Sequence, residues 1–306
     1  MGQPFTAISR LRQAHALPAL VVLVVMCVAG AASGLAGAGW HVAAAAAPER
    51  STADGGSAEA RAHALMDAEP PDWAGAREAF REAAEDGSPT AMSHLGWMYE
   101  EGHGVAVDGE QAAYWYGQAA RAGAWQFAVK LGWMHLGGQG VAQDRLKAEE
   151  WFGRAVEADH APAMVAWASV LIGDAQGGRD PERVFEARDL LDRSLADGQT
   201  LAAWFITRLY IEGIGGHPID DARAAHHARI TADTGHARAQ GWLALMSLEG
   251  RGVPVDPVAA AKWANLAAAG GDPLGIELRL GLESTLEPEQ LQAARERAVR
   301  WALERR

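Results

Sequence analysis

Two stretches of this chain, LGWMYEEGHGV at residues 95–105 and LGWMHLGGQGV at 131–141, stand 36 residues apart and share seven of eleven letters. Self-similarity at a fixed period of this size marks a repeat architecture, in which one supersecondary unit recurs along the chain. The register extends well beyond these two copies. A small or acidic residue recurs at Gly87, Gly123, Asp159, Gly198, Gly235 and Gly271, at spacings of 36, 36, 39, 37 and 36. Each unit reads as two helices divided at this marker.

Eleven residues before the marker stands Ala76, Ala112, Ala148, Ala187, Ala224 or Ala260, and seven before it Phe80, Tyr116, Phe152, Leu191, Ala228 or Ala264. Small residues follow at minus four and minus three, so the four slots make one stripe on a helix, helix A. After the marker, plus four holds Ala91, Ala163, Ala202 and Ala239. Plus eight holds Leu95, Leu131, Trp167, Ile206 and Leu243, and plus eleven holds Met98, Met134, Val170, Leu209 and Met246. These make the stripe of a helix B. The small residues let helix axes approach near the short end of the 8–10 Å range.

Helix B gives way to a G-x-G-V loop at Gly102, Gly138 and Gly250, followed by Asp108, Asp144 or Asp256. Glycine permits the positive φ at which a helix ends. The aspartate suits the N-cap of the next helix A. One helix pair of this size cannot bury its apolar face alone, whereas identical faces stacked in series bury each other. The repetition is the core.

LGWMYEEGHGV, KAEEWFGRA and ARAQGWLALMSLEGRGV resemble the Sel1-like repeat, a relative of the tetratricopeptide repeat, over about residues 72–282. The resemblance implies an all-α, right-handed α-solenoid of about six helix-turn-helix units. It also implies adaptor roles in the assembly of membrane complexes, in envelope regulation and in signalling. Three units depart from the pattern. The third ends in IGDAQGGRDPER with three extra residues, the fourth has EGIGGHP, and the sixth lacks the loop. Some members of the family are cysteine-rich and linked to penicillin binding or β-lactam hydrolysis. The cysteines are missing here and that activity is not carried over.

Ahead of the repeats, residues 1–15 are basic, with Arg10 and Arg12, and residues 16–39 carry no charge. A basic start before an apolar run is an export or membrane signal. The run of 24 residues exceeds the roughly 20 that span a bilayer core as a helix, which favours an anchor. Its strongly apolar part, ALPALVVLVVMCV, is short enough for a cleaved signal peptide, with Ala36-Gly37-Ala38 as a cleavage site. Either reading puts the repeats outside the cytoplasm. They would be tethered to the inner membrane by a single-pass helix with the repeats on the periplasmic side, or soluble in the periplasm or secreted after cleavage. Gly30 and Gly34 form a GxxxG of the kind found in membrane helix dimers, in a segment where Gly and Ala are common anyway. The lone cysteine, Cys27, lies in the apolar run and cannot pair within the chain. Residues 40–58 read as a flexible linker, 59–286 as the repeat array and 287–306 as a capping helix. AEARAHALMD at 58–67 reads as a short leading helix. Ser284 to Glu287 is a capping-box pattern ahead of Pro288.

With Arg10 and Arg12 set aside, 25 Lys and Arg face 39 Asp and Glu, a net of −14. That argues against nucleic acid or anionic lipid surfaces as partners of the repeats. The catalytic grammar is thin, with no phosphate loop, HExxH, GxSxG or cysteine nucleophile outside the apolar run. His226 and His227 diverge by about 100° on a helix and cannot share a metal. His103 sits in a loop, and His135 stands where the preceding unit has Tyr99. Glu100-Glu101 and Glu149-Glu150 read as exposed helix charge. No cofactor and no metal are expected.

Twelve tryptophans against four tyrosines are the compositional excess. Trp115, Trp151 and Trp263, eight before their markers, read as packing. Position plus ten holds Trp97, Trp133, Ser169, Arg208 and Leu245, a variation foreign to a core slot. Leaving a tryptophan in water forgoes about 2–3 kcal/mol of burial, and aromatic and arginine side chains dominate interface energies. Trp97, Trp133 and Arg208 are therefore the candidate anchors for a peptide or protein partner. The expected function is a non-enzymatic interaction scaffold of the cell envelope. The alternative is an envelope glycan-binding module or carbohydrate-active enzyme, with Glu78 and Glu82 as its carboxylates. The C-terminal helix places Leu291, Ala294, Ala298 and Trp301 on one face and carries Arg295, Arg297, Arg300, Arg305 and Arg306. It is either a solvated cap or a dock for an acidic partner.

Overall fold

In a computed structural model, residues 57–305 are described. The anchor or signal peptide at 16–39, Cys27, the basic residues 1–15 and all but the end of the linker lie outside them. Among the described residues there are fourteen α-helices and no strand, and no helix is long and apolar enough to cross a membrane. The chain is an all-α helical repeat solenoid.

The described residues divide into two compact units. One holds the residues up to Ala124 together with Trp133–Arg145; the other holds Trp125–Gly132 and the residues from Leu146 on. The first unit begins with α1 (Ala58–Met66), the leading helix expected from the sequence, and continues with α2 (Trp73–Glu85), α3 (Pro89–Glu101) and α4 (Gly109–Arg121). The helix α5 (Gln126–Gly137) contributes residues to both units. The second unit continues with α6 (Arg145–Glu157), α7 (Ala161–Gln176), α8 (Val184–Ala196), α9 (Leu201–Glu212), α10 (Asp221–Asp233), α11 (Ala237–Glu249), α12 (Pro257–Ala269), α13 (Pro273–Glu283) and α14 (Pro288–Leu303).

Sequence pattern accounts for most of these elements. The marker is where helix A turns into helix B with positive φ, and Asp159 does this at φ 54° without being glycine. Asp72, Asp108, Asp220 and Asp256 each cap a helix A by accepting from the backbone N–H three residues on, at 2.9–3.0 Å. The alanines at minus eleven are all fully buried, and so are Phe80, Phe152 and Leu191 at minus seven and Leu95 and Ile206 at plus eight. Each large side chain so buried contributes about 2 kcal/mol.

Two further features of the packing depend on neighbouring repeats. First, glycines inside helix B leave room for an aromatic ring of the next helix A. A Cβ on Gly96 would lie 2.7 Å from the Tyr116 ring, and one on Gly132 would lie 2.5 Å from the Phe152 ring. Second, the second glycine of the G-x-G loop lies against the first turn of the preceding helix A. A Cβ on Gly104 would meet Trp73 at 2.6 Å, and one on Gly252 would meet the Asp221 carbonyl oxygen at 1.9 Å. The loop motif therefore ends one helix and admits its neighbour's backbone at the same time.

The irregular units are resolved locally. The third unit's extra residues lengthen α7 to 16 residues and form a 3₁₀ turn at Pro181–Arg183. The fourth unit's EGIGGHP forms a 3₁₀ turn at Ile214–Gly216, with Ile214 and His217 buried.

At the C-terminal end one expectation is corrected. The residue that caps α14 is Glu287, whose backbone N–H donates to Gln290 Oε1 at 3.1 Å. Ser284 is not part of that box. Its hydroxyl donates to the Gly281 carbonyl at 2.7 Å and finishes α13. The inward face of α14 is the expected one. Ala294 and Ala298 are buried, and Trp301 Nε1 donates to Asp233 Oδ1 at 3.1 Å.

Candidate partner-binding surface

The plus-ten position is half-buried in all five units, at Trp97, Trp133, Ser169, Arg208 and Leu245. The core stripe of helix B lies at plus four, eight and eleven, so plus ten falls at its margin, where one side of the residue packs and the other meets solvent.

Trp97 shows what this means chemically. Its inner side packs against the buried cluster of Phe80, Leu95 and Met98. At its outer side α3 ends on Gly102 in the left-handed conformation, with its N–H donating to the Met98 carbonyl, and the chain turns back. That turn lays His103 between two indoles. The His103 ring is 4.2 Å from Trp97 and 4.5 Å from Trp73, stacked on the latter at 25°. Trp73 and Trp97 meet edge to face at 6.1 Å. Beside them Arg77 donates to the Gly104 carbonyl at 3.4 Å. The result is a half-buried three-ring cluster on the first unit. Trp73 and His103 were not among the expected site residues, although a tryptophan at the start of α2 and an aromatic ring inside a G-x-G loop are both visible in the sequence.

Trp133 occupies the equivalent slot of α5 and belongs to the same unit. Its neighbour His135 is buried, with Nδ1 3.4 Å from the Ala142 carbonyl.

Arg208 differs from both. It belongs to the second unit, and its guanidinium forms a two-pronged pair with Glu212, Nε to Oε1 at 2.9 Å and Nη2 to Oε2 at 3.0 Å. Gln176 Nε2 donates to the same Glu212 oxygen at 3.0 Å, and the arginine side chain is only 11% exposed. Its fork is occupied, and a partner would have to displace Glu212 to reach it. The three expected anchors are thus two half-buried indoles on one unit and a closed ion pair on the other.

Other polar groups singled out in the sequence have local partners. Glu100 accepts from Tyr116 at 2.6 Å, Glu149 from Arg183 at 2.9 Å and Glu150 from Arg154 at 2.6 Å. Glu78 pairs with Arg81 and Glu82 with Arg61, so the carboxylates of the carbohydrate reading face cations. His226 and His227 meet nearly at right angles, 5.1 Å apart.

The densest polar cluster lies around the fourth unit's loop. Tyr210 accepts from Arg188 at 2.6 Å and from Arg223 at 3.1 Å, and both guanidiniums also lie over its ring. Burial raises the phenol's pKa, but the two arginine hydrogen bonds outweigh it and the net shift is downward. His227 stacks on the same ring and is pushed down to about 4, first by burial and then by Arg188 and His226. His217 is lowered mainly by burial. Both imidazoles are neutral at pH 7, so the cluster is a structural clasp that holds α8, α9 and α10 together.

The profile of the Sel1 repeat matches residues 89–123, 126–160, 196–236 and 237–272. The chain is a Sel1-repeat protein. Each matched Sel1 segment holds a helix B, the loop after it and the next helix A. The segment left out between matches, 161–195, holds the lengthened α7 and its added turn. A protective antigen of uropathogenic Escherichia coli that displays the SLR fold is 26% identical, with a TM-score of 0.65. The alignment covers 76% of this chain and 49% of the antigen, so the chain spans about half the antigen's length. A Sel1 repeat protein from Oxalobacter formigenes is also 26% identical, with a TM-score of 0.60 over 80% of this chain and 97% of that one. No curated protein matches. Sel1-repeat proteins generally mediate protein–protein interaction.

Proposed function

We propose that this Sel1-repeat protein is a non-enzymatic scaffold of the cell envelope. Its first unit receives a peptide or protein partner on the margin of the B helices, with Trp97 and Trp133 as the anchors. The observation that carries the reading is the half-buried cluster of Trp73, Trp97 and His103. A large aromatic surface is held rigid by its neighbours, so little side-chain entropy is lost on contact. Repetition of tryptophan in the equivalent slot of α5 supports a strip in place of a single contact. Arg208 enters the reading only after Glu212 is displaced, and so ranks below the tryptophans. The basic start and apolar run at 16–39 support delivery to, or anchoring in, the inner membrane with the repeats on its outer side.

In-cell photo-crosslinking with the reactive residue at 97 and then at 133 tests the reading. One discrete protein adduct shared by both positions is the expected result. A folded protein that gives no adduct from either position would assign both tryptophans to packing. Mass spectrometry of the mature chain tests the delivery. A chain starting near Gly39 means cleavage, and an intact N-terminus in the membrane fraction means an anchor.

A further inference from the structure

The last helix carries a second surface, independent of the tryptophan strip. Its inward residues, Ala294, Ala298 and Trp301, are committed to packing, which leaves the opposite face to solvent. Gln292, Glu296, Val299 and Leu303 run along that face at spacings of four, three and four. Val299 is 59% exposed and Leu303 is 63% exposed. At 100° per residue, Arg295 and Arg300 are separated by about 140° and fall on the two sides of this line. The six residues share one open face of the helix.

The two arginines are unusual in this chain. Most of its arginines hold a carboxylate, as Arg297 does Asp256 and Arg305 does Asp233, or lie over a ring, as Arg229 does over Trp263. Among the described residues, Arg279, Arg295 and Arg300 make no side-chain hydrogen bond, ion pair or ring contact, and Arg295 and Arg300 are exposed. In a protein of net charge −12, two unpaired guanidiniums, with one carboxylate between them, border the exposed Val299–Leu303 pair and leave this face locally positive.

We infer that the outer face of α14 docks an acidic amphipathic helix of a partner protein. Val299 and Leu303 would meet the partner's apolar stripe, and Arg295 and Arg300 would meet carboxylates on its two flanks. Val299 and Leu303 stand four residues apart, the i,i+4 spacing at which one helix reads another. Guanidiniums on both sides fix the partner's charge and centre it on the stripe. Glu296 sits in the middle of the face and accepts from Gln292 Nε2 at 2.9 Å. The partner helix would place a polar residue opposite this carboxylate.

The test uses the full chain and a fluorescent 18-residue helical peptide with a leucine stripe flanked by glutamates, read by anisotropy. Its counterpart carries lysines in place of the glutamates. The acidic peptide is expected to bind saturably and to weaken as salt is raised. Arg295→Glu with Arg300→Glu should weaken it at least tenfold and let the lysine peptide bind. Both residues are solvent-facing, so the variant's melting temperature should stay within a few degrees of the parent's. Val299→Asp should weaken the acidic peptide. Equal binding of both peptides to the parent chain, or unchanged binding to the double variant, would overturn the inference. So would binding of the parent, but not of the double variant, to vesicles containing phosphatidylglycerol. Concentration-dependent self-association that disappears in the double variant, with no peptide binding, would assign the face to a second copy instead.

Discussion

Gly132→Ala is the sharpest probe of how the repeats hold together. In isolation the change should help, because alanine is favoured over glycine in a helix by about 0.8–1 kcal/mol. Here the added methyl would lie 2.5 Å from two atoms of the Phe152 ring, about an ångström inside van der Waals contact. The ring has little room to retreat. It is fully buried and stacks on Trp167 at 5.4 Å and 22°. Overpacking of this kind costs about 1–3 kcal/mol, so the net expectation is a loss of about 1 kcal/mol. The sign should reverse once the ring is trimmed. In a Phe152→Leu background the same Gly132→Ala change should be neutral or stabilising by up to about 1 kcal/mol. The implied coupling of about 2 kcal/mol lies within the range for residues in contact. The assay is urea unfolding of the four proteins of the cycle, followed by circular dichroism, with midpoints and slopes compared. A stabilising Gly132→Ala in the parent chain, or additivity of the two changes, would refute the reasoning. The chain contains its own control. Where minus seven is Leu191 or Ala228, the slot nine past the preceding marker holds Ala168 or Thr207 in place of glycine.

Four further outcomes are expected. Gly235→Ala, at φ 90° with open space around the new Cβ, should lose about 1–2 kcal/mol of stability from left-handed strain alone. Gly252→Ala adds a collision with the Asp221 carbonyl to a φ of 66° and should lose at least twice as much; equal melting temperatures would contradict the close approach of loop and helix. Asp256→Ala removes the N-cap acceptor for Ala259 and should cost about 1 kcal/mol, most of it restored by Asp256→Asn, as thermal melts would show. Acidification should also destabilise the fold through its neutral histidines. His227 is held near 4 when folded and rises to the ordinary value of 6.5 when unfolded. Its contribution is complete above pH 6.5 and declines towards pH 4, because the unfolded chain takes up the proton first. Replacing it with phenylalanine, which preserves the stack on Tyr210, should flatten the urea midpoint between pH 6.5 and 5, and a pH profile superimposable on the parent's would discount His227.

How much of the candidate surface was legible depends on how local each contact is. That Arg208 is closed was readable in principle, since Glu212 stands four residues on and such pairs face each other on a helix. The convergence of Gln176 on the same carboxylate was not, because it comes from another helix 36 residues away. The three-ring cluster joins residues 73, 97 and 103, and only the backward turn of the loop brings His103 between the two indoles. At the start of α14 a local pattern misled. Ser284-x-x-Glu287 has the right letters for a capping box, but the end of α13 uses the serine first, and Glu287 with Gln290 makes the box three residues later.

By itself the sequence determined the period, the helix pairs, the buried stripes and the aspartate caps. All of these follow from the geometry of one helix and its ends, which nearby residues specify. The tertiary structure decided why particular slots must be glycine, which side chains share a ring cluster, and which arginines remain open. Those outcomes depend on the distance between surfaces of successive repeats. That distance is set by stacking, where a neighbour's ring or carbonyl occupies the space that a side chain would otherwise fill.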